Sequence, residues 1–227
     1  MRLAPLFEDR RDAGRRLAAA LGHYRESRPV VLALPRGGVP VGFEVAKALA
    51  APLDLLLVRK LGAPGHEELG LGALVEGDPP QLVLNPEVIR AVDPPPGYIE
   101  AEKQRQLLEI ERRRREYVGE RPSVAVEGRT VIVIDDGIAT GGTVRAALRG
   151  VSQRRPERLV LAVPVAPADS LGELAAECDD IICLATPEPF FAVGTHYRNF
   201  TQTEDDEVIR LLGEARKSLI PPANPAG

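Results

Sequence analysis

The chain has 227 residues, a net charge of −4 and 44% hydrophobic against 27% charged residues. This length allows one substantial core with a small addition, but it is too short for two full-sized domains. The longest apolar stretches, such as residues 53–58, fall far short of the roughly 20 residues of a membrane span, and an acidic balance lacks the basic character that drives nucleic-acid binding.

The N-terminal residues, MRLAPLFEDRRDAGRR, place acids and arginines where a signal peptide needs an apolar run. We therefore expect a cytoplasmic protein that does not associate with membranes. Cys178 and Cys183 have no further Cys or His at metal-binding spacing, so we expect reduced, structural thiols.

The first third of the chain predicts alternating helices and strands. Apolar residues at helical spacing predict a surface helix over 7–21. The apolar run 30–34, a helix over 41–50 and the apolar run 53–58 form a β-loop-α-β unit, which is typical of a parallel sheet. Residues 59–69 are polar and contain two glycines and a proline, so they predict an exposed, mobile loop.

The middle of the chain reads as an addition to this alternation. Residues 70–85 predict a pair of strands around a GDPP turn, followed by a short helix near 86–92 and a PPPG breaker at 94–97. A long charged helix is expected from about 98 to 118. Its sparse apolar positions place it on the surface or against a partner chain, which leaves a homo-oligomer open.

The rest of the chain returns to strands and helices. The apolar strands in GRTVIVI, RLVLAVPV and IICLA alternate with the helices TVRAALRG and SLGELAAE. This order predicts an α/β fold with a doubly wound, mainly parallel sheet, whose ligands bind at the carboxyl ends of the strands. We assign residues 1–186 to the core, with a long helical insertion at about 94–120. Residues 187–219 form a C-terminal hood and helix, and residues 220–227 a disordered tail.

The stretch VIVIDDGIATGGT at residues 131–143 carries the clearest chemistry. Asp135 and Asp136 follow a strand that reads as buried, and two adjacent carboxylates need hydroxyl donors or a hydrated cation beside them. The vicinal hydroxyls of a ribose would serve. The glycine-rich turn that follows can expose backbone N–H groups to a phosphate at the start of a helix. A sugar phosphate bound in one piece would bridge the acids and the turn.

Other phosphate motifs fit this stretch poorly. A Walker A loop needs a lysine where Gly142 stands, and the dinucleotide fingerprint needs its acid about 20 residues after the glycines. The structural alternative is a simple DDG turn with a tight helix start. A buried strand, paired acids and a TGGT helix start together favour a ligand site.

VIVIDDGIATGGT resembles the phosphoribosyl pyrophosphate (PRPP) motif of the type I phosphoribosyltransferases. The resemblance implies transfer of 5-phosphoribose from PRPP to a nitrogenous base, with release of pyrophosphate. It assigns the ribose hydroxyls to Asp135 and Asp136, and it implies that Mg²⁺ is carried by the ligand, with no direct protein ligand. The expected PRPP-binding residues after the acids are Gly137, Ile138, Ala139, Thr140, Gly141, Gly142 and Thr143.

Ala139 narrows the acceptor that the resemblance implies. The 6-oxopurine enzymes of the family carry an aspartate at this place in the loop, and ATGGT is more similar to the loops of adenine or pyrimidine enzymes. We therefore expect an acceptor other than hypoxanthine, guanine or xanthine. The acceptor's identity and the general base stay open.

Residues 35–38, PRGG, follow the first strand and resemble the pyrophosphate loop of the family in place and content. The guanidinium of Arg36 can contact phosphate oxygens as a fork, and Gly37 and Gly38 let the backbone come close. The alternative is an Arg-Gly-Gly turn with a purely structural role.

Arg59 and Lys60 are further catalytic candidates, because they stand where the family keeps basic residues and its catalytic flap. A solvated pair at a strand end is the alternative. His66, Glu67 and Glu68 lie further along the same predicted loop, and we expect them on the surface.

The predicted hood holds four aromatic residues within positions 187–200. They stack on the acceptor base, or they form a hydrophobic clamp on the terminal helix. These residues are Phe190, Phe191, Tyr197 and Phe200, with His196, Arg198 and Asn199 as polar neighbours that would read the edges of the base.

Two rival functions use the same motif. A regulator that senses PRPP without catalysis would bind nucleic acid or protein, with the arginine run 112–115 as its contact. A solvated helix face is the expected reading of that run, and an intact Arg36 loop favours the enzyme. A PRPP synthetase would need a second similar domain, for which the chain is too short.

Overall fold

The computed structural model describes residues 5–219, except for the side chains of residues 67, 68 and 219. The predicted tail at 220–227 and the side chains of Glu67 and Glu68 therefore lie outside the described part of the chain. Eight strands are found there: β1 Val30–Ala33, β2 Leu53–Leu55, β3 Val58–Ala63, β4 His66–Val75, β5 Gln81–Leu84, β6 Thr130–Ile134, β7 Arg158–Val165 and β8 Asp180–Ala185.

Seven α-helices accompany these strands within residues 5–219: α1 Arg10–Ala20, α2 Gly38–Leu49, α3 Pro86–Val92, α4 Tyr98–Val118, α5 Gly142–Ser152, α6 Ala168–Leu174 and α7 Asp205–Leu219. Short 3-10 helices occupy Gly22–Ser27 and Val193–His196. No helix in the described residues combines the length and the apolar character needed to cross a lipid bilayer.

The central sheet has five parallel strands in the order β2-β1-β6-β7-β8. Every residue of β6 is buried. Val131 and Val133 pack into the core on the α5 side, and Ile132 and Ile134 pack into the core formed with α1 and α2. Successive side chains of a strand point to opposite faces, so a continuous apolar strand needs helices on both sides. The predicted doubly wound, mainly parallel sheet is confirmed.

The prediction of a mobile loop over residues 59–69 is wrong. β3 and β4 form an antiparallel hairpin there, and β5 adds a third strand, so these residues belong to a second, three-stranded sheet. Leu61 and Leu74 on this sheet pack against Ile110 of α4, which makes the hairpin an ordered element. Only Pro64 and Gly65, with φ of 72° at the glycine, form the turn. The predicted strands around the GDPP turn are confirmed as β4 and β5, with β4 starting at His66.

The long helix α4 has the predicted bounds and packs on β3 and α7 of its own chain. Its arginine run is largely committed to internal ion pairs. Arg114 lies between the buried acids Asp54 and Glu76, at 3.0 and 2.8 Å. Arg112 and Arg113 pair with acidic residues of the same helix. Within the run, Arg114 is thus buried between its acidic partners, whereas Arg112 is exposed and Arg113 is partly exposed.

The segments that precede α1 and α7 meet near the carboxyl end of β6. α7 packs on α2 and α4 through a cluster that includes Val208, Leu211 and Tyr117. Phe7 forms a parallel bridge with Tyr197, which joins the segment before α1 to the one before α7. The division into a core over 1–186 and a hood over 187–219 remains a prediction.

Candidate active site

The acid pair and the PRGG turn lie side by side at the carboxyl edge of the central sheet. The N–H of Leu34 donates to the carbonyl of Ile134 at 2.9 Å, so β1 and β6 end together. Asp135 and Asp136 then follow β6, while residues 35–38 follow β1 and lead into α2. This edge is where an open α/β sheet presents its ligand site.

The two glycines of the turn are required by close approach to the acids. A β-carbon on Gly37 would lie 2.1 Å from Oδ2 of Asp136. A β-carbon on Gly38 would lie 2.7 Å from the carbonyl oxygen of Ile134 and 3.0 Å from Cα of Asp135. Any other residue at either position would have to displace the acid pair or the strand end.

Asp136 has an ion-pair partner that the sequence did not suggest. Nε of Arg10 donates to its Oδ2 at 2.7 Å, and the hydroxyl of Tyr197 donates to its backbone carbonyl at 2.5 Å. Arg10 also donates to the carbonyl of Thr201 at 2.7 Å and lies 3.9 Å over the ring of Phe200. In the sequence Arg10 is one of several arginines on a surface helix, and nothing in their spacing sets it apart.

Burial raises the pKa of both carboxyls above the usual range for aspartate. For Asp135 the neighbouring charge of Asp136 adds to this effect, while the N–H of Asp136 donates to Asp135 Oδ1 at 2.8 Å and opposes it. For Asp136 the guanidinium of Arg10 opposes burial and lowers the pKa. Two adjacent carboxyl groups with restricted access to solvent favour hydroxyl donors as partners.

The loop after the acids has the geometry of an anion cradle. Gly141 has φ of 75°, which favours glycine, and α5 begins at Gly142, one residue before the predicted start. The N–H of Ile138 donates to the carbonyl of Val165 at 2.9 Å, and its side chain is buried, so Ile138 anchors the loop to β7.

The rest of the loop faces solvent: Ala139, Thr140, Gly142 and Thr143 are all exposed. The first turn of a helix leaves its N–H groups without intrahelical partners, and the helix dipole adds positive potential there. This end of α5 can therefore accept a phosphate.

Arg36 points from the turn toward the start of α7. Its Nη1 lies 3.5 Å from Oδ1 of Asp205 and 3.9 Å from Oε2 of Glu204, and about a third of its side chain is exposed. The hydroxyl of Tyr117 donates to Asp205 at 2.5 Å, and burial together with this bond raises the pKa of Tyr117 to about 12. The contacts of Arg36 are long and accessible, so a ligand can replace them.

Arg59 and Lys60 lie on β3, and adjacent strand residues point to opposite faces. Nε of Arg59 donates to Gln106 on α4 at 2.9 Å, and burial lowers the pKa of the guanidinium. Lys60 is exposed, and with Gly142 and Thr143 it lines a cleft of about 660 Å³ between the second sheet and α5. Lys60 therefore shares this cleft with the phosphate loop. Arg59 does not line it, but lines a neighbouring cleft with Lys60 and Thr143.

The hood aromatics divide into packed and exposed rings. Tyr197 is buried, with its ring centroid 5.3 Å from that of Phe7 and 5.0 Å from that of Phe200. Phe190 is partly buried, whereas Phe191 is 80% exposed. Packing supports the clamp for Tyr197, and Phe191 is the ring most accessible to a ligand.

Two of the polar neighbours of the hood have side-chain contacts within the chain. Arg198 forms an ion pair with Glu8 at 3.0 Å, and the side-chain oxygen of Asn199 accepts from Thr201. His196 is buried, and burial lowers its pKa.

The titratable clusters of the described residues include no group of three or more His, Cys, Asp or Glu side chains placed to hold a metal ion. Cys178 and Cys183 are not bonded to each other, and burial raises the pKa of both thiols, to about 11 for Cys178. They are structural thiols of low reactivity.

A family profile for the phosphoribosyl transferase domain matches residues 8–199 of this chain. The match contains the acid pair, both glycine turns, the hairpin and residues 187–199 of the predicted hood. The chain belongs to the type I phosphoribosyltransferase family.

Two curated relatives come from Mycobacterium tuberculosis, Rv0571c of strain H37Rv and MT0597 of strain CDC 1551, both provisionally named phosphoribosyl transferases. Each is 47% identical over 214 residues, which is 94% of this chain and 48% of the relative. The chain thus spans about half the length of these phosphoribosyltransferase relatives.

Among solved structures, the crystal structure of TT1426 from Thermus thermophilus is similar to this chain, with 45% sequence identity and a TM-score of 0.80 between the two structures. The match covers 92% of this chain and 98% of TT1426. The architecture of the chain is therefore shared over nearly its whole length with a protein of similar size.

Proposed function

We propose that the protein transfers 5-phosphoribose from PRPP to a nitrogenous base and releases pyrophosphate. The observation that carries this proposal is the contact between the acid pair and the glycine turn, where a β-carbon on Gly37 would reach within 2.1 Å of Asp136. A ribose grip and a pyrophosphate turn pressed together at one sheet edge, beside an open helix start, match the three parts of PRPP in one place.

The reaction is a displacement at C1 of the ribose. A nitrogen of the acceptor forms the new bond, the bond from C1 to the pyrophosphate oxygen breaks, and pyrophosphate leaves with the electron pair. Positive charge develops on the ribose ring, and Asp135 and Asp136 orient the hydroxyls and offset that charge. Arg36 stabilises the leaving group once it exchanges its contacts with Asp205 and Glu204 for phosphate oxygens. The acceptor nitrogen loses its proton in this step, and no residue is assigned as the general base that takes it.

The remaining roles follow from position. The N–H groups from Ala139 to Thr143 hold the 5′-phosphate, and the β3–β4 hairpin with Lys60 excludes water from the adjoining cleft. Arg59 acts through its bond with Gln106, which ties this hairpin to α4.

Magnesium would be carried by PRPP itself, with no direct protein ligand, as the resemblance implies. Asp135 and Asp136 would hold the ribose beside it, and acidic side chains at this edge of the sheet are compatible with a cation nearby. When bound with PRPP it supplies charge neutralisation to the departing pyrophosphate.

The acceptor is a nitrogenous base. The exposed Phe191 offers a ring for stacking, and Ala139 argues against a 6-oxopurine. We place the enzyme in the cytoplasm. The arginine run proposed as the contact of the rival regulator is partly engaged within the chain, where Arg112 and Arg113 pair with acids of α4 and Arg114 pairs with Asp54.

The test is an assay of pyrophosphate release with PRPP, magnesium and a panel of adenine, pyrimidine and 6-oxopurine bases. One acceptor outside the 6-oxopurines should stimulate release and yield its nucleotide. Binding of PRPP without release for any acceptor would instead favour a PRPP-sensing regulator, and absence of binding would reject both.

A further inference from the structure

Arg10 joins three separate parts of the molecule at the acid pair. It begins α1, it donates to the carboxylate of Asp136 at 2.7 Å, and it donates to the carbonyl of Thr201 at 2.7 Å. The ring of Phe200 lies 3.9 Å from its guanidinium carbon. The side chains of Arg10 and Asp136 are only 11% and 14% exposed. Two hydrogen bonds and an aromatic ring therefore fix the guanidinium of Arg10, so its ion pair with Asp136 is ordered in the folded state.

Arg10 and Arg36 both touch acids at the site, and their geometries differ. Arg36 approaches its acids at 3.5 and 3.9 Å and is 32% exposed, so a phosphate competes easily for it. Arg10 has a short bond to a buried carboxylate and two further contacts. Breaking it would leave a carboxylate without its counter-charge next to Asp135. Arg10 therefore stays in place when a ligand binds.

The position of Arg10 also limits where the carboxylate of Asp136 can lie. Gly37 closes one side of Oδ2, and Arg10 bonds to the same oxygen. Among the residues that the structure describes, Arg10 is the one side chain that hydrogen-bonds to this carboxylate. No side chain among the described residues donates to the other oxygen, Oδ1, and a β-carbon on Gly37 would lie farther from it, at 3.2 Å, so Oδ1 is the oxygen that can accept from a hydroxyl donor.

We propose that Arg10 is a positioning residue of the PRPP site, which fixes the carboxylate of Asp136 so that Oδ1 can accept a ribose hydroxyl. This inference rests on the proposed function. The roles proposed above for the acid pair, the turn and the loop do not involve α1. The role of Arg10 adds this helix to the PRPP site.

The test compares Arg10→Met, Arg10→Lys and the control Arg11→Met. Arg11 stands on the same helix, forms an ion pair with Glu44 at 3.1 Å and lies over Phe43, so it matches Arg10 in type without touching the acid pair. PRPP binding is measured by calorimetry, and KM for PRPP and for the acceptor by pyrophosphate release. Arg10→Met should weaken PRPP about ten- to a hundredfold, because a charge-assisted bond to a buried group is lost.

The pattern across variants separates positioning from stability. Arg10→Lys should recover part of the affinity, the acceptor KM should stay near the wild-type value, and Arg11→Met should bind PRPP normally. If Arg10→Met fails to fold, Phe200→Leu removes the ring beneath the guanidinium and should weaken PRPP by a smaller factor, about two- to fivefold.

Two negative outcomes are distinct. In the first, the wild-type protein binds PRPP and turns over, and a folded Arg10→Met protein binds PRPP with unchanged affinity. This result would overturn the role of Arg10 and leave the transferase intact. If Arg10→Met does not fold, unchanged affinity in Phe200→Leu has the same meaning. A wild-type protein that neither binds PRPP nor releases pyrophosphate would reject the proposed function, and the role of Arg10 with it.

Discussion

A β-carbon on Gly37 would lie 2.1 Å from Oδ2 of Asp136, so the turn after β1 and the acids after β6 share one surface with no spare room. This contact couples the groups proposed for pyrophosphate and ribose. A displacement of the turn would therefore displace the acid pair, and the reverse. The positions of the pyrophosphate and ribose sites are thus fixed relative to each other.

The Gly37→Ala substitution should therefore damage ligand binding. The added methyl group forces Asp136 or the turn aside, and PRPP affinity should fall about ten- to a hundredfold by calorimetry. Gly213→Ala is the matched control, because a β-carbon at this position of α7 would have no atom within 4 Å. That change should keep affinity and stabilise the protein by about 0.5–1 kcal/mol in urea unfolding. Normal PRPP binding by Gly37→Ala would contradict the coupling.

Asp135→Asn should stabilise the free protein while weakening its binding of PRPP. Burial and Asp136 raise the folded-state pKa of Asp135 above its unfolded value. A carboxyl group whose pKa is raised on folding stabilises the folded state fully at pH values below its pKa in the unfolded chain. This stability is lost as the pH rises through its pKa in the folded protein. At neutral pH the charged form of Asp135 therefore destabilises the fold.

Asparagine removes this cost, by about 1.4 kcal/mol for each pH unit of the shift. Thermal unfolding should show the gain at neutral pH and lose it below about pH 4, where aspartate is protonated in both states. A variant that is less stable than wild type at neutral pH would count against this account.

Arg114→Leu should be strongly destabilising. It leaves Asp54 and Glu76 buried without a counter-charge, which typically costs about 3–5 kcal/mol in the free energy of unfolding. Arg112→Leu, two residues earlier and 59% exposed, should change stability by less than about 1 kcal/mol. Urea unfolding of both variants decides the matter, and equal effects would refute the buried network.

Asp205→Asn should strengthen PRPP binding. Asp205 competes with the ligand for Arg36 at 3.5 Å, and its neutralisation should lower KM for PRPP about two- to fivefold at low ionic strength, with less effect in high salt. Asp206→Asn, at the next and exposed position of α7, provides the control. A higher KM for Asp205→Asn would mean that this acid aligns Arg36 instead of competing for it.

Phe191→Ala should act on the acceptor alone. Its ring is 80% exposed, so truncation should leave the melting temperature unchanged, and loss of stacking should raise the acceptor KM about five- to a hundredfold. Leu108→Ala, with 68% exposure on α4, should alter neither quantity. An unchanged acceptor KM for Phe191→Ala would leave the acceptor site without this residue.

The sequence predicted those parts of the fold whose signals are local. The buried strand β6, the acids that end it, and the helix start after Gly141 all follow from consecutive residues. The hairpin at 58–75 was missed because Gly62, Pro64 and Gly65 obscure the alternation that places Leu61 in the core. A hairpin with a tight turn and a mobile loop have similar amino-acid composition. The packing of the hairpin against α4, which local sequence does not reveal, distinguishes the two.

Contacts between residues far apart in the sequence limit how much of the site can be predicted from the sequence. Arg10 and Asp136 are 126 positions apart, and no spacing rule selects one arginine of α1 over its neighbours. Arg114 likewise stands in a run of four arginines, and its buried partners Asp54 and Glu76 come from other elements of the fold.

The bridge between Phe7 and Tyr197 has a consequence for the order of folding. Contacts between distant segments close large loops and generally form late, after local helices and neighbouring strands. The central sheet can assemble from β1, β6 and β7 before the segments around Phe7 and Tyr197 meet beside Asp136. In a refolding experiment, recovery of PRPP binding should therefore lag behind recovery of helical circular dichroism.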